Sequence, residues 1–223
     1  MRWGMIYRSA EIDSLECSSR RELKNLGIKT LIDLRASSEI GRQSPLQKGF
    51  NVVHIPLATG DMEDILKGIR EEKIKSDTVY RMVERMNRIL IDQYTKEYRQ
   101  IFDILLDKNS YPVVIHCSSG KGRTGIVSAL VLAALGINED IIMEDYRLSN
   151  DYFNIPSASK DAYQLPARSQ EAITTLFSAR EDFLNAAKEE AERRYGDIDS
   201  YLQKGIGLNK DEIKRLRSIL LSD

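Results

Sequence analysis

The stretch that decides the reading is Tyr111-Pro112-Val113-Val114-Ile115-His116-Cys117-Ser118-Ser119-Gly120-Lys121-Gly122-Arg123-Thr124-Gly125. An Ala-, Val- and Leu-rich segment follows, up to Leu135 and Gly136. Tyr111 to His116 is short and nearly continuously apolar, the pattern of a strand buried on both faces of a parallel sheet. Thr124 to Leu135 predicts a helix that Gly136 stops. The loop between them points its backbone N–H groups and the helix N-terminus at one place, which attracts anions. Gly120, Gly122 and Gly125 permit the close backbone approach this requires. A cysteine at the start of such a loop has its thiolate favoured by the same field. An arginine six positions later can fold back and grip two oxygens of a phosphate. Nucleophile, anion cradle and charge clamp thus fall within one turn of chain.

The flanking sequence supplies the rest of an α/β domain. Ser18 to Leu26 predicts a helix stopped by Gly27, and Ile28 to Leu34 a strand. Asn51 to Ile55 predicts a second strand, ended by Pro56. After a polar stretch from Ala58 to about Asp77, apolar residues from Val79 to Leu105 recur at three- and four-residue spacing. They predict one long amphipathic helix or a pair, with Ser76 or Asp77 as cap. Asn138 is placed to cap a helix running to Leu148. Asp151 to Arg168, with Pro156 and Pro166, predicts a loop. One charged amphipathic helix is expected over 169–194, and two short ones over 198–202 and 209–221. Alternating strands and helices imply a mostly parallel central sheet flanked by helices, in a single domain over 1–223.

Composition narrows the function classes. The chain has 33 basic and 34 acidic side chains, a net charge of -1, which argues against a dedicated nucleic-acid binder. With 42% hydrophobic residues it can bury a core. The two cysteines, Cys17 and Cys117, rule out a disulfide scaffold, and no Cys/His cluster offers four zinc ligands. No metal and no cofactor is expected. The start of the chain has no signal-peptide pattern, and the longest apolar stretch, Ile126 to Leu135, falls short of the about 20 residues that span a bilayer. The expectation is a cytoplasmic protein with no integral membrane segment.

The full loop pattern resembles that of the cysteine-dependent phosphatases. Tyr7-Arg8-Ser9-Ala10, Leu26-Gly27-Ile28 leading to Ile32-Asp33-Leu34-Arg35 and Glu39, Asp145-Tyr146 with Ser149-Asn150-Asp151, and the tail from Tyr195-Gly196 to Leu220 resemble the atypical bacterial tyrosine/lipid phosphatase family. The likeness runs from about Trp3 to the C-terminus. It implies a protein tyrosine phosphatase-like core covered by a helical lid, for which 58–106 is the candidate. Two departures stand out. The chain begins too late to hold the Asn-Phe-Arg-Asp-type segment that usually precedes Tyr-Arg-Ser, so the expectation is either a shortened edge of the core or an incomplete start. The loop reads Lys121-Gly122-Arg123 where many members have Lys-Asp-Arg; that spelling is similar to the tensin-like lipid phosphatases.

Roles follow from the chemistry. Cys117 is the expected nucleophile, forming a cysteinyl-phosphate. Arg123 is expected to stabilise charge on the phosphoryl oxygens. The backbone from Ser118, Ser119, Gly120, Lys121 and Gly122 to Arg123 forms the cradle, and Thr124 can donate to the thiolate. His116 is expected to order the loop. Lys121 adds charge at the rim, where it could meet a second phosphate. The leaving oxygen needs an acid. Asp33, at a strand end and in the Asp-Leu-Arg motif, is the first choice, ahead of Asp61 in the presumed lid and Asp145. The expected activity is metal-independent hydrolysis of phosphotyrosine, phosphoserine/threonine or phosphoinositides. Partners would be a phosphorylated protein or phosphoinositide, met with at most transient membrane contact. A phosphoinositide/inositol-phosphate-specific enzyme and a non-catalytic phosphate-binding module are the competing readings; sulfurtransferases and arsenate reductases fit the Arg-Thr-Gly ending poorly. Cys17 reads as incidental, His54 as a sheet residue, Met82 and Met86 as core, and Lys188 to Arg194 as a solvated helix face.

Overall fold

Thr30–Asp33 and Val113–His116 are buried at every position, and they form the middle of a parallel sheet in a computed structural model that describes residues 1–12, 17–40, 49–58, 60, 62–155 and 159–222. The strands are β1 (Ile6–Ser9), β2 (Thr30–Asp33), β3 (Asn51–His54) and β4 (Val113–His116), in the spatial order β1-β4-β2-β3. Among the described residues the main helices are α1 (Cys17–Asn25), α2 (Met62–Arg70), α3 (Ser76–Gln93), α4 (Thr95–Leu106), α5 (Gly122–Leu135), α6 (Glu139–Arg147), α7 (Ser149–Tyr152), α8 (Ala167–Phe177), α9 (Glu181–Tyr195) and α10 (Lys210–Leu220), with a short helical turn Ile198–Ser200 running into a π-helical one, Tyr201–Gly205, between the last two. The side chains of 17–20, Cys17 among them, lie outside the described set.

The two-residue alternation of the strands divides the interior. Leu31 and Val114 face a small cluster with Ile12, Ile28 and Leu23 of α1. Ile32, Val113 and Ile115 face the main core, which α4, α5, α9 and α10 complete through residues such as Phe102, Ile126, Leu184 and Leu216. The pairing register then brings Ser9, His116, Asp33 and His54 into one row at the carboxyl end of the sheet. That end is where open parallel sheets receive ligands. Helix α5 stops at Gly136, which takes φ 78° and returns its N–H to the last turn, as expected for a left-handed cap. It begins at Gly122, so Arg123 and Thr124 sit in its first turn.

Three expectations are corrected, and one strand has no announcement in the sequence. The strand β1 pairs with β4 as an edge, although its half-exposed Ile-Tyr-Arg-Ser has no run of apolar residues to announce it. Ser76 and Asp77 do not cap α3: Ser76 Oγ pairs with Thr175 Oγ1 at 2.8 Å, and Asp77 pairs with Arg81 at 3.2 Å. The 151–168 segment carries the end of α7 and a 3-10 turn at Ala162–Gln164, with 156–158 outside the described residues. Residues 169–194 form two helices. The apolar stripe serves two cores there: Ile173, Leu176 and Phe177 of α8 join a second cluster, whereas Leu184, Ala187 and Ala191 of α9 join the main one. Asn150 braces the break, accepting from Ala179 N at 2.7 Å and donating to Ala179 O at 3.0 Å.

That second cluster draws on α2, the first half of α3 (Val79, Met82, Val83, Met86) and α8, with Phe153, Ile155, Ala162 and Leu165 from the segment between α7 and α8. Helix α4, within the 58–106 candidate, packs instead in the main core through Tyr98, Ile101, Phe102 and Leu105. Among the described residues, no helix is long and apolar enough to cross a membrane.

Asn150→Ala removes both bonds at the α8–α9 break and leaves two part-buried backbone groups unpaired. A loss of about 1–3 kcal/mol in denaturant unfolding is expected. The exposed Ser178 Oγ, bonded to Thr174 O, serves as control: Ser178→Ala should stay within about 0.5 kcal/mol.

Candidate active site

Cys117 leaves β4 at the carboxyl edge of the sheet, and its side chain is 1% exposed. Sγ accepts hydrogen bonds from Gly120 N and Thr124 Oγ1, each at 3.2 Å. The loop can double back on the sulfur because Gly120 takes φ 69°; a Cβ there would lie 2.7 Å from the backbone of Ser9 and Ala10. Outside the loop, Arg8 Nη2 donates to Gly120 O at 3.3 Å and to Ser149 Oγ at 2.7 Å, and Nη1 to Asp145 Oδ2 at 2.5 Å. The Tyr-Arg-Ser and Asp145–Ser149 segments, far apart in sequence, therefore meet to brace the loop from behind.

Arg123 is buried beneath the loop, where a guanidinium must find acceptors. Nη1 donates to Glu39 Oε2 at 2.5 Å, with longer contacts to Leu34 O (3.4 Å) and Leu57 O (3.3 Å). Nη2 donates to Glu39 Oε1 at 2.8 Å and to Ser118 Oγ at 3.3 Å. Ser118 Oγ in turn donates to Glu39 Oε1 at 2.5 Å. Burial alone would push the Glu39 carboxyl up, but the hydrogen bonds from Arg123 and Ser118 and the guanidinium charge hold it down at about 2.

Asp33 is 4% exposed and accepts from Arg35 N at 3.0 Å, Nε at 3.0 Å and Nη2 at 2.6 Å. Burial opposes ionisation, but the Arg35 hydrogen bonds and the nearby His116 and Arg35 charges outweigh it and lower its pKa. A proton donor needs the reverse shift. Asp33, the first choice of acid, is thus a carboxylate held by Arg35, two residues further along the chain. His116 lies beside it, fully buried, with Nδ1 3.9 Å from Asp33 Oδ1. Asp145 is engaged by Arg8, and Asp61 lies outside the described residues. Lys121 turns inward: it is 4% exposed, with Nζ 3.9 Å above the Phe153 ring.

A sequence model of the tyrosine phosphatase family matches residues 1–222. The chain belongs to the tyrosine phosphatase family. It is similar to the triple specificity protein phosphatase PtpB of Mycobacterium tuberculosis, 29% identical over 99% of this chain and 92% of that protein. To a tyrosine-protein phosphatase of Nostoc commune it is 25% identical, over 94% of this chain and 72% of that one. It is a protein phosphatase with the parallel α/β core of that family.

In this phosphatase a cavity of about 390 Å³ adjoins the loop, lined by Tyr7, Arg8, Ser119, Gly120, Tyr152 and Phe153 among others. A larger one, of about 510 Å³, lies along α5 toward its far end and includes no residue of the loop. His54 is a satisfied sheet residue, as expected, with Nε2 2.7 Å from Arg35 O. The site residue that sequence reasoning passed over is Glu39. It was noted only as part of a resemblance; the signal was an acid a few residues beyond the end of a central strand, close enough to reach the loop arginine.

The Glu39 carboxyl titrates lower in the folded state than its ordinary 4.5, so its stabilisation is full above that value and fades as pH falls toward about 2. Discounted for solvent screening of this partly exposed carboxylate, the loss of stability in Glu39→Gln near neutral pH should be roughly 1–2 kcal/mol. The gap to wild type should close between pH 4.5 and 2 in acid-unfolding curves.

Proposed function

We propose that this phosphatase hydrolyses phosphomonoesters through a cysteinyl-phosphate on Cys117. The observation that carries this reading is the buried Cys117 Sγ with two donors aimed at it, Gly120 N and Thr124 Oγ1, in the same loop as Arg123. Those donors suit a negatively charged sulfur. Substrate phosphate lies in the cradle of N–H groups from Ser118 to Arg123. The thiolate attacks phosphorus in line while Arg123 meets the charge spreading over the equatorial oxygens. The leaving alcohol departs protonated; water then attacks the cysteinyl-phosphate, releases inorganic phosphate and restores the thiolate. Glu39 and Ser118 hold the guanidinium plane so that few degrees of freedom are frozen during reaction.

The substrates proposed are phosphotyrosine, phosphoserine/threonine and phosphoinositides. The printed name of the Mycobacterium tuberculosis relative, a triple specificity phosphatase, supports a cradle that reads the phosphoryl group more than its carrier. The Lys121-Gly122-Arg123 spelling supports the lipid headgroup as one of them. Residues 1–223 act as one unit, with α2, the first half of α3 and α8 as the cover over the loop. A reducing, cytoplasmic setting suits a chemistry that depends on an unoxidised thiolate.

The test is a panel of phosphopeptides, phosphoinositides and inositol phosphates, assayed in chelator with wild type and Cys117→Ser. Turnover by wild type and background rates for the variant are expected. Full turnover by Cys117→Ser would remove the nucleophile, and binding of phosphate by wild type with no turnover on any substrate would favour a binding module.

A further inference from the structure

The cavity of about 510 Å³ along α5 takes no part in the steps above. It lies between α5, α6, α9 and the turn at 197–199. Its inner wall is apolar. Ile126 and Leu130 of α5 and Leu184 of α9 are buried residues of the main core, and Ala133, Ile142 and Met143 pack half-buried against them. A volume of about 300–1,000 Å³ with such a wall is what small-molecule sites offer. The rim is polar and mostly of one sign. Four carboxylates line it, Glu139, Glu192, Asp197 and Asp199, against one ammonium, Lys188. That ammonium is already engaged twice, with Nζ 2.6 Å from Glu139 Oε1 and 3.8 Å from Glu192 Oε1. Asp197 accepts from Ser200 N at 2.6 Å, a neutral donor that leaves its charge in place, and Lys204 acts on it from farther away. Asp199 is exposed and forms no ion pair among the described residues.

We propose that this cavity is a second binding site of the protein, for a small amphiphilic cation: a hydrocarbon body with an ammonium at one end. Two features of the cavity select that class. The wall of Ile126, Leu130 and Leu184 offers water no hydrogen-bonding side chain, so hydrocarbon that replaces water there is favoured in proportion to its area. The surplus of carboxylate at the rim attracts a cation and repels an anion of the same shape. Lys188, the one group that would welcome an anion, is spent on Glu139 and Glu192. Asp197 and Asp199 are the carboxylates left for the ligand's ammonium. The site shares α5 with the phosphate loop but uses neither Cys117 nor Arg123. It therefore stands or falls independently of the mechanism proposed above.

The experiment compares three probes of one shape, 4-phenylbutylamine, 4-phenylbutanol and 4-phenylbutyrate, in phosphate buffer so that the loop is supplied with its own anion. Binding is read from the methyl resonance of Met143 in protein labelled at the methionine methyls, the peak being assigned by its loss in Met143→Leu. The amine is expected to shift Met143 saturably and to leave Met62, Met82 and Met86, which belong to the second cluster, where they are. Its affinity should exceed that of the carboxylate by about tenfold or more, with the alcohol between them. Salt at about 1 M, which cuts the Debye length to about 3 Å, should shrink that lead. The double variant Glu192→Gln, Asp199→Asn should weaken the amine roughly three- to tenfold and leave the alcohol unchanged. Ala133→Leu puts extra volume into the cavity and should weaken amine and alcohol alike by at least about tenfold. Each variant is checked by thermal unfolding; if Ala133→Leu does not fold, the rim variant and the salt series decide. Amine and carboxylate binding equally, or a rim variant that keeps full affinity for the amine, would overturn the choice of a cation. No saturable shift of Met143 with any probe, or full binding by folded Ala133→Leu, would overturn the site.

Discussion

A buried, charged guanidinium organises the active end of this molecule. Arg123 is 7% exposed, and an unpaired charge at that depth would be prohibitive. Its acceptors come from four places: Leu34 just past β2, Glu39 in the turn beyond it, Leu57 past β3, and Ser118 past β4. Satisfying one side chain therefore ties three strand ends together at the carboxyl edge of the sheet. The same requirement explains why α5 begins where it does. Starting at Gly122 places Arg123 in the first turn, near enough to reach past the cradle, and puts Thr124 Oγ1 on the sulfur.

Close packing behind the loop is the second condition. Gly125 has Tyr146 so near that a Cβ would lie 2.6 Å from the ring, and Gly120 presses on the end of β1. Arg8 fills the remaining space and donates to Gly120 O, Asp145 and Ser149. The loop is thus held from outside by Arg8, which is itself paired with Asp145.

Much of this was legible in sequence where one physical demand dominates. Val113-Val114-Ile115 could only be a strand buried on both faces, and Gly136 could only be the end of α5. Asn138 caps α6 as read, accepting from Asp140 N at 2.7 Å. Where two demands compete, the residues mislead. Over 169–194 the helical spacing is continuous, but its apolar stripe has to serve two clusters that lie apart, and the helix breaks between them. The 79–105 spacing is continuous in the same way, yet α4 and the second half of α3 are claimed by the main core through Leu90, Ile91 and Tyr98. β1 carries no apolar run because only one of its edges is paired. Asp33 is marked in sequence by its position at a strand end, but that Arg35, two residues on, turns back to hold both its oxygens is visible only in the fold.

Lys121 shows why position in a loop does not determine chemistry. Spacing alone makes it a rim lysine with water on one side. What changes its character is remote in sequence: Phe153 and Phe177 close over it and remove the water. Face-on aromatic contact keeps some attraction for the charged form, but rings accept no hydrogen bond comparable with a carboxylate's. The ammonium is left less stable than in solvent, while Arg123, a few ångströms of loop away, has Glu39 to offset the same burial. Two cations of one loop are thus driven apart, one fixed in charge and one able to lose it. In this phosphatase the difference is made by Phe153 and Phe177, which follow α7 and end α8.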